Sequence, residues 1–322
     1  MAGVPAAPGR IAQVGFPGLG KMGGAIAERL LGQPFQLHVY NLSKGYKGGG
    51  GHMSQSSQVV MTLERGLQVL RAFRAERAPL SNGELARRTG LSKSTVSRLT
   101  TTLLRLGFIR RVAQGTQFEL APGALGIGHA YLETNPVTRL VHPYMQQVAD
   151  RLDVSMALAV PNDLDMLYIA CRTSARISTL RLGVGSLLPM GSTAIGRAYL
   201  WALPPGRQAQ YLAALMEAAG PKAAEVRVGI EGAFEDLWQS GTCLSIGEYQ
   251  RDAWGVALPI RVGRDATLMA LNFGAVGLNV DSAGIRQNLA PALRNAATEL
   301  TALLRDVDVD VEPLPSCFGP DA

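Results

Sequence analysis

Two capped helical segments joined by a short turn constrain the fold of this chain more than any other feature. Residues 81–84 have the form of a capping box, in which the Ser81 hydroxyl accepts from the Glu84 amide while the Glu84 side chain reaches back. The first segment ends at Gly90, a residue suited to the left-handed conformation of a helix C-cap. Ser92 then caps a second segment, Lys93 to Leu106. Two short helices joined in this way predict a helix-turn-helix unit.

Further elements flank this unit. A preceding amphipathic helix is predicted by four apolar residues at helical spacing, Leu63, Leu67, Leu70 and Phe73. Phe108–Val112 and Gln117–Leu120 are predicted strands around a turn at Gln114 and Gly115, and together they form a hairpin, the wing. The structural alternative is a small helical bundle with a hairpin and a solvated basic face.

The second helix of the unit has two different faces. Its apolar residues, which we expect in the core, are Val96, Leu99, Leu103 and Leu106. Its outward residues are short hydroxyls and two cations, Lys93, Ser94, Thr95, Ser97, Arg98 and Thr101. A helix that enters the major groove of DNA needs such hydrogen-bonding side chains and no bulky apolar group. The helix N-terminus at Ser92 offers a phosphate site, and Arg110 and Arg111 on the wing are placed to meet the DNA backbone.

The distribution of charge points to the same partner. Residues 54–121 contain eleven lysines and arginines against four acids, whereas residues 122–322 contain fifteen against twenty. A basic segment joined to a larger acidic one suggests a module for double-stranded DNA attached to a domain that does not touch nucleic acid.

Residues 10–43 carry a separate pattern. Arg10–Val14 and Phe35–Tyr40 are predicted strands, and Gly18, Gly20 and Gly23 between them have the spacing of a dinucleotide-binding fingerprint. This stretch resembles a truncated first β-α-β unit of the β-hydroxyacid dehydrogenase family. A glycine-rich linker follows, and two strands and one helix cannot build the sheet that holds a dinucleotide. We expect residues 1–52 to be a leader that binds no cofactor; the alternative is a nicotinamide-dependent oxidoreductase fragment.

The C-terminal part of the chain alternates groups of strands with groups of helices. Predicted strands cover Val154–Val160, Met166–Cys171, Ile177–Leu182 and residues 242–247, 254–262 and 267–274. Predicted helices cover residues 125–133, 140–152, 193–203, 206–218, 229–240 and 281–305. This order predicts an α+β fold in which helices pack on an antiparallel sheet.

Residues 185–198 predict a binding site for a small molecule. A loop there leads into a helix that begins at Ser192 or Thr193, which brings backbone N–H groups and the positive end of the helix dipole to one point suited to a carboxylate. Leu188 and Met190 would supply an apolar wall. The alternative is an ordinary helix cap beside core leucines.

Most of the chain resembles a known family. Thr62–Leu70, Leu91–Leu99 and Leu106–Ile109 look like the DNA-binding domain of IclR-type transcription regulators, and the likeness runs from about Thr62 to Leu304. The resemblance implies an N-terminal winged helix-turn-helix, a C-terminal GAF-like sensor domain with an antiparallel sheet, and a cytoplasmic homodimer or homotetramer. It also implies palindromic operators and a small organic acid or aromatic effector. Positions carried over from the family's ligand pocket are Ala194, Ile195, Ser245, Gly255, Asn272 and Gly274.

The patterns and the resemblance together divide the chain into five parts. These are a truncated Rossmann-like leader with its linker (1–52), the winged helix-turn-helix (53–122), a linker helix (123–138), the GAF-like effector-binding domain (139–306) and a disordered tail (307–322). No membrane span, signal peptide, metal site or catalytic centre is expected, because the apolar runs are short and the three cysteines and four histidines are scattered. A DNA-binding regulator without a ligand response is the second alternative.

Overall fold

The computed structural model describes two short strands near the N-terminus and residues 60–73, 79–112, 115–177, 182–277 and 280–309. The chain divides into two compact units, residues 1–59 and residues 60–322. In the first unit, β1 (Val14–Pro17) and β2 (Leu37–Tyr40) form a parallel pair. A parallel pair is what a β-α-β start requires, but β1 begins at the residue where the predicted strand ended. The three fingerprint glycines lie outside the described residues.

The second unit opens with three helices and a small sheet. Their bounds are α1 Met61–Arg71, β3 Leu80–Ser81, α2 Asn82–Thr89, α3 Lys93–Arg105, β4 Ile109–Arg111 and β5 Gln117–Leu120. The predicted helix-turn-helix is α2 and α3, and the antiparallel sheet has the order β3-β5-β4. The sequence analysis did not predict β3, which pairs Leu80 with Phe118 and so ties the wing to the start of α2.

The core of these elements differs from the prediction at its edges. The buried apolar side chains that form this core are Val69, Leu80, Leu85, Val96, Leu103, Ile109 and Phe118. Leu63, Leu67 and Leu106, which we expected on buried faces, are 61%, 49% and 61% exposed. Thr100 is buried instead, and its one hydroxyl hydrogen is shared between the Val96 carbonyl at 3.0 Å and Asn82 Oδ1 at 3.1 Å. A threonine whose hydroxyl is paired in this way can replace an apolar core residue at little cost.

The remainder of the second unit is larger and contains a six-stranded sheet. Its elements are α4 Pro122–Thr134, α5 Pro136–Leu152, β6 Ser155–Asn162, β7 Asp165–Thr173, β8 Leu187–Pro189, α6 Ala194–Trp201, α7 Pro205–Ala219, α8 Ala223–Ser240, β9 Cys243–Ile246, β10 Ala253–Val262, β11 Thr267–Val276, α9 Ser282–Gly284 and α10 Ala290–Leu303. The strand order is β8-β7-β6-β11-β10-β9, and every neighbouring pair is antiparallel.

Helices cover both faces of this sheet. Successive residues of a strand point to opposite faces. On β6, Met156 and Leu158 join α5 and α10 in one buried cluster, whereas Ala157 and Ala159 join α6, α7 and α8 in the other. The face towards α6 carries the smaller side chains, so that helix can approach the sheet closely. The predicted α+β class, with helices on an antiparallel sheet, is confirmed.

Several predicted element bounds are wrong. The strand expected at Ile177–Leu182 falls largely outside the described residues and neither end residue is in a strand; the edge strand is β8, where we expected a loop. α8 begins six residues before the predicted start at 229. The expected helix over 281–305 is interrupted by a π-helical turn, Ile285–Leu289.

The segment predicted as a disordered tail from residue 307 is packed over its first residues. Val309 is buried against Gly263, and Thr267 Oγ1 donates to the Val309 carbonyl at 3.2 Å. The Arg264 amide donates to the Val307 carbonyl, also at 3.2 Å. The prediction failed here because alternating Asp and Val residues look solvated in isolation, while the turn between β10 and β11 offers the valines an apolar contact. Among the residues that the structure describes, no helix has both the length and the apolar composition needed to cross a bilayer.

Candidate nucleic-acid interface and ligand pocket

The start of α3 is built by the hydroxyl of Ser92. Ser92 Oγ accepts from the Thr95 amide at 3.2 Å and hydrogen-bonds with the hydroxyls of Ser94 at 3.0 Å and Thr95 at 2.9 Å. The predicted cap of α2 is also present, because Ser81 Oγ accepts from the Glu84 amide at 3.2 Å. The Glu84 carboxylate, however, does not reach back to complete the capping box; it binds Arg87 and Arg88 on the same helix.

The outward side of α3 presents the residues that the sequence analysis named. Lys93, Ser94, Ser97, Arg98 and Thr101 are exposed, and we call them the recognition face. Thr101 donates its hydroxyl hydrogen to the Ser97 carbonyl at 2.8 Å, which leaves its oxygen lone pairs free to accept. The sixth named residue, Thr95, is only half exposed because its hydroxyl turns towards Ser92. The face therefore combines two cations with three hydroxyls and carries no large apolar group.

The two wing arginines are exposed but engaged within the hairpin. Arg110 forms an ion pair with Glu119 on the opposite strand β5. The Arg111 guanidinium lies 5.6 Å from the centre of the Phe118 ring. An approaching phosphate would therefore compete with a carboxylate for Arg110, whereas at Arg111 it would meet a guanidinium that lies over an aromatic ring.

The register of the large sheet builds the floor of a pocket beneath α6. One row of directly opposed residues crosses β9, β10, β11, β6 and β7 and consists of Ser245, Gly255, Gly274, Ser155 and Thr173. All except Thr173 line the pocket. Because glycine has no side chain, the paired Gly255 and Gly274 leave the middle of the floor bare. The pocket is open to solvent on one side, and its volume together with the solvent at its mouth is about 610 Å³.

The first turn of α6 forms the opposite wall. Of the two residues considered for its cap, Thr193 is the one used: its Oγ1 accepts from the Gly196 amide at 3.3 Å and donates to the Pro189 carbonyl at 2.7 Å. The N–H groups of Ala194 and Ile195 precede the first intrahelical hydrogen bond, and neither has an acceptor among the described residues. Both residues line the pocket.

Asn272 is the polar side chain at the back of the pocket. It is 8% exposed, and its Oδ1 is buried without a hydrogen-bond partner among the described residues. Beside it, burial raises the pKa of Tyr168, so the phenol stays neutral at ordinary pH. The Ser155 hydroxyl is already paired with Thr173 Oγ1 at 3.0 Å. Within the described part of the chain no charged side chain lines the pocket, which leaves the α6 N-terminus as its positive feature.

A half-buried ion pair lies beside the pocket. Arg197 lies in the first turn of α6 and is 2% exposed. Its Nε donates to the Gly191 carbonyl at 2.9 Å, and its terminal N–H groups donate to both carboxylate oxygens of Glu248, one of them at 2.8 Å. Glu248 belongs to the segment between β9 and β10, whose Tyr249 lines the pocket. The pair therefore holds this segment against the loop that precedes α6.

The structure brings seven of the eight predicted pocket residues together: Leu188, Ala194, Ile195, Ser245, Gly255, Asn272 and Gly274. Met190 does not line the pocket, because it is fully buried where α6 crosses it. The lining residues that sequence reasoning missed are Ser155, Tyr168, Leu182, Thr193, Tyr249, Ala253, Trp254 and Ala275. Ser155 could have been found, because it is a polar residue at the start of an otherwise apolar strand.

Comparison with known proteins matches both halves of the second unit. A model of the IclR helix-turn-helix domain matches residues 62–113, and a model of the C-terminal domain of the bacterial transcriptional regulator IclR matches residues 129–302. The chain belongs to the IclR family of bacterial transcriptional regulators. This confirms the predicted resemblance, and with it a regulator in preference to an oxidoreductase.

Similar proteins agree with the family assignment. An IclR family transcriptional regulator from Brucella abortus of known crystal structure is 33% identical, with a TM-score of 0.69 over 79% of this chain and 96% of that one. The Pca regulon regulatory protein of Pseudomonas putida is 28% identical over 241 residues, which are 74% of this chain and 82% of that protein. An IclR homologue from Microbacterium hydrocarbonoxydans, crystallised with 4-hydroxybenzoate, shares the fold at 20% identity, with a TM-score of 0.54 over 76% of this chain and 98% of that one.

Proposed function

We propose that this IclR-family regulator reads operator DNA with the recognition face of α3. The observation that carries the proposal is the exposure of Lys93, Ser94, Ser97, Arg98 and Thr101 on a helix whose opposite side is locked into a core by Val96 and Leu103. Such a helix can enter the major groove while the core of the domain stays folded. Arginine is the side chain best suited to pair with guanine or phosphate. Ser92 and the free amides of the first turn then meet a phosphate, as do Arg110 and Arg111 of the wing.

Replacement of Arg98 by alanine tests this assignment. We expect Arg98→Ala to weaken binding to the DNA upstream of the protein's own gene by about tenfold to a hundredfold, because one good side-chain contact to a base is worth about 1–3 kcal/mol. Fluorescence anisotropy of labelled DNA measures the affinity, and repetition at several salt concentrations counts the phosphate contacts. Arg264→Ala is the matched control, since Arg264 is an exposed arginine of the large sheet domain. Equal affinity of the two variants would contradict the assignment.

We further propose that the pocket beneath α6 binds a small organic acid or an aromatic effector that controls DNA binding. The unpaired N–H groups of Ala194 and Ile195 suit a carboxylate, and the walls of Leu188, Tyr249 and Trp254 suit an apolar or aromatic skeleton. The homologue crystallised with 4-hydroxybenzoate makes that acid a sensible first probe. Calorimetric titration with a panel of small carboxylates, followed by the DNA-binding assay with each ligand, tests the proposal. A regulator whose DNA affinity is unmoved by every acid would favour the alternative without a ligand response.

Self-association is part of the same proposal. α4 has no buried residue in the single chain although it carries Leu125, Ile127 and Tyr131, and α1 exposes Leu63 and Leu67. Exposed apolar surface of this kind on a helical domain suits a second copy of the chain, and a two-fold dimer would match a palindromic operator. We expect a homodimer or homotetramer in the cytoplasm, and sedimentation velocity measures the assembly. A monomer at micromolar concentration would contradict it.

A further inference from the structure

The wing carries a carboxylate of its own beside one of its two arginines. Residues 108–120 contain two cations, Arg110 and Arg111, and a single acid, Glu119. Arg110 and Glu119 are directly opposite each other on β4 and β5, and Arg110 Nη2 lies 2.5 Å from Glu119 Oε1. Opposite charges at facing positions of two strands attract each other, so the register of the hairpin places this acid on this arginine.

This ion pair lies on the outer face of the hairpin. Successive residues of a strand point to opposite faces, and Ile109 and Phe118 point inwards, into the core of the domain. Arg110 and Glu119 therefore point outwards, and their side chains are 68% and 37% exposed. An exposed pair of this kind contributes little to stability, so its main effect is on whatever approaches this face.

Arg111, the other cation of the wing, is arranged differently. Its guanidinium lies 5.6 Å from the centre of the Phe118 ring, and it forms no ion pair with any described residue. A ring leaves the positive charge intact, whereas a carboxylate within hydrogen-bond distance compensates it. Of the two arginines, Arg110 is therefore the one whose charge is compensated from within the protein.

We propose that Glu119 restrains the binding of DNA by the wing, because it holds the Arg110 guanidinium away from the phosphates. The inference rests on the proposed function, which brings the wing beside the DNA backbone. A phosphate that approaches Arg110 must either share the guanidinium with Glu119 or displace a carboxylate that then remains as a negative charge next to the phosphate. Both outcomes weaken the contact, so the wing releases fewer counterions than its two arginines would allow. Glu119 thereby lowers the affinity for DNA of every sequence, since contacts with phosphates carry no sequence information.

A double-mutant cycle on the full chain tests the inference. Glu119→Gln keeps the size of the side chain and removes its charge, Arg110→Gln removes the guanidinium, and a third variant combines the two changes. Glu64→Gln is the matched control, because Glu64 is an exposed acid of α1 and its replacement changes the net charge of the protein by the same amount. Thermal melting of each variant reports its fold, which the loss of an exposed pair should hardly affect.

Fluorescence anisotropy measures the affinity of each protein for two duplexes, the DNA upstream of the protein's own gene and a duplex of arbitrary sequence. Glu119→Gln should bind both duplexes more tightly, by about threefold to tenfold at about 0.1 M salt, because one added phosphate contact contributes a factor of about eight at that concentration. The plot of log affinity against log salt concentration should become steeper by about one unit. In the Arg110→Gln background the same change should raise the affinity by less than about twofold, since no guanidinium remains to be released. The ratio of the two affinities should stay as it is in the native protein.

An equal gain from Glu119→Gln in both backgrounds, or an equal gain from Glu64→Gln, would indicate a general effect of net charge and overturn the inference. A change in the ratio of the two affinities would overturn it as well, because Glu119 would then contact bases, as a carboxylate can through the amino group of cytosine. An unchanged affinity of Glu119→Gln would overturn the inference and leave the proposed function standing. Failure of the native protein to bind either duplex, even at low salt, would overturn both the inference and the proposed reading of DNA.

Discussion

Glu248→Ala should destabilise the protein although the residue lies at the surface. The Glu248 side chain is 38% exposed, whereas the side chain of its partner Arg197 is only 3% exposed and depends on the carboxylate for most of its hydrogen bonds. Without the carboxylate, the guanidinium keeps one hydrogen bond, the 2.9 Å contact from Nε to the Gly191 carbonyl. The two terminal N–H groups, which lie beside Gly229 of α8, then lose their acceptors.

The size of the effect lies between two limits. Breaking a fully buried ion pair costs about 3–5 kcal/mol, whereas an exposed pair contributes about 0–1 kcal/mol. Because Glu248 is more than one-third exposed, water enters the gap from its side and screens part of the loss. We expect a decrease of about 1–3 kcal/mol in the free energy of unfolding, and a smaller decrease for Glu248→Gln, whose amide oxygen can still accept.

Urea denaturation followed by tryptophan fluorescence measures this free energy. The midpoint should fall while the denaturant dependence stays constant, which shows that the same surface unfolds. Asp308→Ala is the matched control, because its pair with Arg264 has side chains 76% and 61% exposed and should contribute no more than about 0.5 kcal/mol. If Glu248→Ala is no less stable than Asp308→Ala, the buried guanidinium does not depend on Glu248 and the reasoning fails.

Two further predictions concern helix positions. Gly196→Ala should destabilise the protein by more than about 2 kcal/mol despite the higher helix propensity of alanine, because the new methyl group would overlap the Met190 backbone. Gly232→Ala on α8 has open space around the new methyl group and should stabilise the protein by about 0.5–1 kcal/mol. Thermal melting of both variants measures the two effects. Hydrogen bonds from Arg87 and Arg88 lower the pKa of Glu84 from 4.5 to about 2. Glu84 therefore contributes stability above its unfolded pKa and loses it as the pH falls through the folded pKa. The stability difference between native protein and Glu84→Gln, measured by urea denaturation, should be present at pH 6 and vanish towards pH 2; a constant difference would contradict the ion pairs.

Local signals predicted the helix-turn-helix well. Ser81, Gly90 and Ser92 mark helix ends. The hydrogen bonds of a helix cap involve only residues a few positions away, so a helix end can be predicted from the sequence. Helical periodicity was less reliable about burial. It assigned Leu106 to the core, where the structure exposes it, and Thr100 to neither face, where the structure buries it. Periodicity carries no information about where the neighbouring elements end. Family resemblance named six of the residues that line the pocket, whereas Met190, named from its place in the loop before α6, does not line it because its backbone lies under the first turn of that helix.

The amino-acid sequence alone indicated most of the helices and strands, where α2 and α3 begin, and that a basic segment precedes an acidic one. These properties follow from contacts within a few residues and from composition. Only the tertiary structure decided that Ser245, Gly255, Gly274 and Ser155 form one row, because strand register arises from pairing between segments that lie more than a hundred residues apart in the case of Ser155 and Gly274. It also decided that Arg197 meets Glu248, since a buried charge selects its partner among groups that only the folded chain brings within reach.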